Sequence, residues 1–125
     1  MIAFDQAGLL ATLTALAASE IDGLAFGVIH FDPDGIVRRY NRYEQVHAGL
    51  GLEQVIGKHV FTELAQCMNN FMVAERFESA RTLGQDLDAT LDYVLTWKMK
   101  PTPVKLRLLS GPGQPGGYVL IHRLT

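Results

Sequence analysis

Cysteine is almost absent. Cys67 stands alone in 125 residues, so no disulfide can close within the chain and no cysteine pair is offered to a metal. Charge is sparse and balanced: charged residues make up 19% and the formal net charge is −2. That leaves no broad basic field for nucleic acid or an anionic membrane. No apolar run reaches the length of a membrane span; the stretch 8–18 is short and is interrupted by Thr12 and Thr14. Asp5 precedes it where a secretory leader would be basic, so a cytoplasmic protein is expected. The histidines, His30, His47, His59 and His122, show no pair four residues apart as on a metal-binding helix, and no metal is expected.

What the chain does have is apolar content. Hydrophobic residues make up 48%, enough for one core and one domain over 1–125, with 1–19 as an N-terminal cap and 20–125 as the body. Leu9, Leu10, Leu13 and Leu16 mark an amphipathic helix over 5–18, with Asp5 able to cap it. Residues 24–31 and 36–40 read as a hairpin around the turn residues Asp32, Pro33, Asp34 and Gly35. Short helices follow over 41–46, 52–56 and about one turn at 62–65, just before Cys67. A longer helix has Asn70 as cap, Val73, Phe77, Ala80 and Leu83 as its stripe, and Gly84 as its stop.

The last third is β. Over 90–100, Leu91, Tyr93, Leu95, Trp97 and Met99 share one face, with Val94 out of pattern on the other. Pro101 and Pro103 are expected to break the chain before Val104, Leu106 and Leu108, and residues 118–124 make a fifth strand. The order predicts an α+β fold: a five-stranded antiparallel sheet with short helices gathered to one side and a helical cap at the N-terminus.

Single residues are ambiguous. The run 111–116 spells a dinucleotide-binding fingerprint, but its two prolines and the strand that follows make it a hairpin loop. Cys67 alone reads first as a buried structural thiol; as a nucleophile it would need a base, with His59 the only histidine close in sequence. Glu44 would ordinarily be a surface carboxylate and Tyr40 a packed aromatic.

Several segments together resemble the photoactive yellow protein family, whose domain is PAS-like. Residues 21–27, the Asp-x-Asp-Gly turn at 32–35, Tyr40-Asn41-Arg42-Tyr43-Glu44, Gln54-Val55-Ile56-Gly57-Lys58, Cys67 and Met99-Lys100-Pro101-Thr102 all match its pattern. The likeness spans nearly the whole chain, with a one-residue insertion near 85–88. It implies a blue-light photoreceptor in which Cys67 carries p-coumaric acid (4-hydroxycinnamic acid) as a thioester. It further implies that Tyr40 donates to the ionised phenolic oxygen and that Glu44 is the proton donor after trans–cis isomerisation. Desolvation would keep the Glu44 proton in place in the dark, and hydrogen bonds from Tyr40 and Glu44 would favour the phenolate.

The same resemblance makes Ala48, Leu50, Leu95, Trp97 and Met99 pocket residues. Here Ala48 stands where the family commonly has threonine, Leu50 where it often has arginine, Trp97 where tyrosine is frequent, and Gln66 where proline is common. The resemblance implies that Tyr40 is less firmly oriented without a hydroxyl at 48 and that Leu50 gives an apolar lid with no cation. The chain carries no kinase, cyclase or DNA-binding segment. A separate, unidentified signalling protein is therefore the expected partner, or the chain is one piece of a larger one. A PAS sensor of haem or flavin and a Cys67-dependent acyl hydrolase or transferase are the competing readings.

Overall fold

In the computed structural model, which describes residues 1–96 and 100–124, five antiparallel strands form one sheet. They are β1 (Gly27–Phe31), β2 (Val37–Tyr40), β3 (Leu87–Leu95), β4 (Thr102–Gly111) and β5 (Gln114–Arg123), in the order β2-β1-β5-β4-β3. This is the expected α+β, PAS-like sheet. The first hairpin closes on Asp32, whose Oδ1 accepts from the backbone N–H of Asp34 and Ile36 and whose Oδ2 accepts from Arg38 Nε. The second, longer hairpin of β3 and β4 pairs Leu87 with Ser110 through Leu95 with Thr102.

Two proline expectations change. Pro103 lies inside β4, paired with Val94, close enough to the start of the strand for its missing N–H to cost little. The loop at 111–116 shrinks to a tight turn, because Gly111 pairs with Gln114 and β5 begins there. Gly116 sits at φ 75°, and a Cβ there would collide with the Phe31 carbonyl, so β5 can run past the end of β1 only with glycine.

The short helices gather on one face of the sheet, and the N-terminal cap takes the other. On one face lie α3 (Arg42–Ala48), α4 (Leu52–Val55), a π-helical turn (Val60–Leu64), a 3-10 turn (Gln66–Met68) and α5 (Ala74–Leu83). They cover a core that includes Ile29, Phe31, Phe61, Phe77, Leu106 and Ile121. Asn70 Oδ1 accepts from the N–H of Met72 and Val73 at the entry to α5, Gly84 ends it, and Leu83 drops out of the buried stripe. On the other face α1 (Leu9–Ala15) and α2 (Ala18–Ile21) pack Leu9, Leu13 and Ile21 against Val28, Leu109, Tyr118 and Leu120. That face is apolar as well, so it too needs cover. The first helix begins at Leu9 after Gly8 in a left-handed conformation, so Asp5 does not cap it.

A buried guanidinium fastens the cap. Arg107 on β4 forms a bidentate pair with Asp88 at 2.9 and 2.8 Å and donates to the carbonyls of Phe4 and Gln6 at 2.9 and 2.7 Å. The Asp88 hydrogen bonds raise its pKa further. Elsewhere on this face, His30 stacks on Tyr118 at 4.5 Å, and its Nδ1 has no partner among the described residues. Burial lowers the His30 pKa.

Two expectations follow from this face. Replacing Arg107 by alanine frees two carbonyls and should cost about 1–3 kcal/mol of stability, with faster amide exchange concentrated in α1 and the residues before it. An unchanged exchange pattern there would show that the cap does not hang on Arg107. Because folding depresses the His30 pKa, the unfolded chain binds the extra proton. The His30 contribution is therefore fully present above the unfolded imidazole value near 6.5 and is lost as pH falls below it. Urea unfolding should show that loss in the wild type and less of it in His30→Phe.

Candidate functional site

Asn41 begins the site. Its side-chain Oδ1 accepts from the N–H of Glu44, capping α3, and from the N–H of Val28 in β1 at 2.9 Å. Its Nδ2 donates to the carbonyls of Ile21 and Phe26 at 3.1 and 2.9 Å. The amide is buried, and its hydrogen bonds lock the start of α3 to the sheet and to the connector from the cap. One turn into α3, Glu44 is carried inward against β1. A Cβ on Gly27 would lie 2.1 Å from a Glu44 carboxylate oxygen, so glycine is what leaves room for that group.

The carboxylate does not sit among apolar groups alone. Arg123, the last residue of β5, donates from Nη1 to Glu44 Oε1 at 2.6 Å and from Nη2 to Oε2 at 2.9 Å. The two side chains are 9% and 4% exposed, so this is a buried, two-pronged ion pair. Burial works against the Arg123 charge, but the hydrogen bonds and charge of Glu44 together outweigh it and raise its pKa. The guanidinium carbon lies 5.9 Å from the centre of the Tyr43 ring. Burial, aided by the Glu44 charge, pushes the Tyr40 phenol well above its ordinary range, so Tyr40 keeps its proton and is available as a donor.

On the far side of the same cavity is the 3-10 turn with Cys67. The Cys67 carbonyl accepts from Tyr93 Oη at 2.5 Å and from Asn70 Nδ2 at 3.0 Å, and Asn70 Nδ2 also donates to Tyr93 Oη. Strand β3 and the entry to α5 thereby hold the turn from two sides. The half-buried Cys67 and the residues Tyr40, Glu44, Ala48, Leu50, Leu95 and Arg123 all line one cavity of about 60 Å3. Ile29, Ile121, Leu64, Ala65 and Met68 complete the wall. That volume suits a few waters, so a flat aromatic group enters only if lining side chains shift; Leu50 and Leu64 are half-buried. The donor set fits an aryl thioester with an acidic phenol: a thiol to bind it, a neutral phenol to donate, and a carboxyl group within the same enclosure.

The expected site residues within the described chain therefore converge. Trp97 and Met99 lie outside the described residues. Arg123 is the group that sequence reading missed. His59 lies elsewhere: its Nδ1 accepts from the N–H of Phe61 and Thr62, and its ring lines a separate groove beside Gly35. Among the described residues no histidine lines the Cys67 cavity.

No family model matches the chain. It is 34% identical over 124 residues to the photoactive yellow protein of Rhodothalassium salexigens, covering 99% of this chain and 98% of that relative. The photoactive yellow protein of Halochromatium salexigens is 30% identical over 113 residues, with 90% of each chain covered. Among solved structures, the photoactive yellow protein domain of the sensor histidine kinase Ppr from Rhodospirillum centenum superposes with a TM-score of 0.81 at 33% identity. That match covers 90% of this chain and 98% of the domain. A PAS domain from Colwellia psychrerythraea shares the fold at a TM-score of 0.64 and 14% identity.

Replacing Asn41 by alanine removes the α3 cap and leaves the Val28 N–H and two carbonyls without their partner. Stability should fall by about 2–4 kcal/mol in urea unfolding. A loss no larger than that of an exposed helix cap would mean that the connector does not rely on it.

Proposed function

Since the chain belongs to the photoactive yellow protein family and is a PAS-type photoreceptor domain, we propose that it senses blue light through p-coumaric acid held as a thioester on Cys67. The observation that carries this reading is the single cavity shared by the Cys67 thiol, Tyr40 and Glu44. Attachment is an acyl transfer. The Cys67 sulfur attacks the carbonyl of an activated p-coumaroyl ester or thioester, the new S–C bond forms, the bond to the carrier breaks, and the thiol proton leaves with the carrier group. When bound, the group supplies visible absorption, an acidic phenol and a double bond that light turns from trans to cis.

The chain's own residues then manage charge and shape. Tyr40, which keeps its proton, donates to the phenolic oxygen and favours its anion. Glu44 donates there as well and gives up its proton once that oxygen has moved. The carboxylate left behind is buried with Arg123 as its partner, and the hydrogen bond that had joined Glu44 to the ligand is lost. A local proton transfer thereby becomes a reversible change in conformation that a signalling partner reads. Leu95, Ala48 and Leu50 make the apolar part of the enclosure, with Leu50 as a neutral lid. Trp97 and Met99 are assigned to the chromophore on the family pattern alone.

Mixing the purified protein with p-coumaric anhydride should yield one acyl group per chain and a visible band that bleaches after a blue flash and returns in darkness. Cys67→Ala should give neither label nor band. A band that survives Cys67→Ala, or acylation followed by turnover, would sink the reading.

A further inference from the structure

The cavity wall contains a permanent cation that the family pattern leaves without a role. A guanidinium stays charged at any working pH. Glu44 takes two of the five N–H donors that such a group carries, and the guanidinium still lines the cavity reached by Cys67. Among the described residues, the other titratable groups around the pair are Tyr40 from β2, Tyr43 from α3 and Cys67 from the 3-10 turn. On β4 the residue opposite Arg123 is the apolar Val104.

Resting on the chromophore reading above, we propose that Arg123 is the counter-ion of the ligand site. It holds Glu44 as a carboxylate while the cavity contains no anion, and it neutralises an aryloxide once one is seated, so that Glu44 gains a proton.

Charge counting in a poorly hydrated enclosure gives the reason. Glu44 and Arg123 alone sum to zero. A phenolate added to them would leave one uncompensated negative charge, which a buried site resists. A single proton restores neutrality, resting on either Glu44 or the phenol. Tyr40 selects between these placements, because its hydroxyl donates to the phenolate. The proton that leaves the phenol of the incoming acyl group is the one that Glu44 gains, and nothing is oxidised or reduced. Arg123 therefore makes the protonated Glu44 a product of chromophore binding rather than a fixed property of the pocket. Without Arg123, neutrality would need protons on both groups, and the phenolate would be lost at higher pH.

Infrared difference spectra of wild type minus Glu44→Gln test this directly, before and after loading with p-coumaric anhydride. The ligand-free protein should show no protonated carboxyl band at neutral pH, and loading should create one. In ligand-free Arg123→Gln the band should already be present, identified by its loss in the double variant with Glu44→Gln. Loaded Arg123→Gln should lose its visible band to acid at a pH higher by about one unit or more, tenfold in the protonation constant. A protonated band in the ligand-free wild type, no band gained on loading, or a midpoint left in place by Arg123→Gln each overturns the assignment. If Arg123→Gln does not fold, the wild-type spectra decide alone. If the wild type does not load at all, the chromophore reading has failed, and the ligand-free spectra still decide whether Arg123 holds Glu44 ionised.

Discussion

A carboxylate and a guanidinium leave water together or at a heavy cost, and the pairing of Glu44 with Arg123 sets what must hold still around it. Glu44 arrives on α3, whose first turn is tied down by Asn41. Arg123 arrives at the end of β5, held by β4 on one side. Gly27 leaves the space that the Glu44 carboxylate occupies. The register of the whole sheet is involved as well. A slip of β5 by one residue would carry Arg123 to the cap face and turn His122 toward Glu44.

Much of this was legible in the residues themselves. The Asp-Pro-Asp-Gly turn, the alternation of Leu91, Tyr93 and Leu95, the cap at Asn41 and the stop at Gly84 each have a local physical cause. Each appears where its cause places it. The convergence of Tyr40, Glu44 and Cys67 was legible only through likeness to a family, because residues from β2, α3 and the 3-10 turn meet through tertiary packing that no local pattern encodes. Arg123 was hidden for a definite reason. Strand β5 buries Val119, Leu120 and Ile121 in succession, since both faces of the sheet are covered. A strand apolar on both sides gives no alternation to show which face its terminal arginine joins. Local turn chemistry also overstated the prolines: pairing with β3 absorbed Pro103, and Pro115 lies within β5, although both lack an N–H.

The sheet thus holds one buried arginine toward each face. Arg123 serves the cavity, and Arg107 serves the segment that precedes α1. They lie on adjacent strands, β5 and β4, with opposite orientation. Arg107 has an aspartate and two backbone carbonyls as partners, all fixed by the fold. Arg123 has a carboxylate whose protonation can change. One is suited to fastening, the other to chemistry.

The amide of Asn41 has a mechanical meaning beyond its hydrogen bonds. Its oxygen is bound to α3 and β1, while its nitrogen is bound to the stretch that leads from α2 into β1. An amide turns as a rigid plane, so those two ends cannot move independently. Any displacement of α3 large enough to pull Glu44 from its place levers the carbonyls of Ile21 and Phe26 at the same time. The lever arm from the pocket to the opposite face of the sheet is a single side chain.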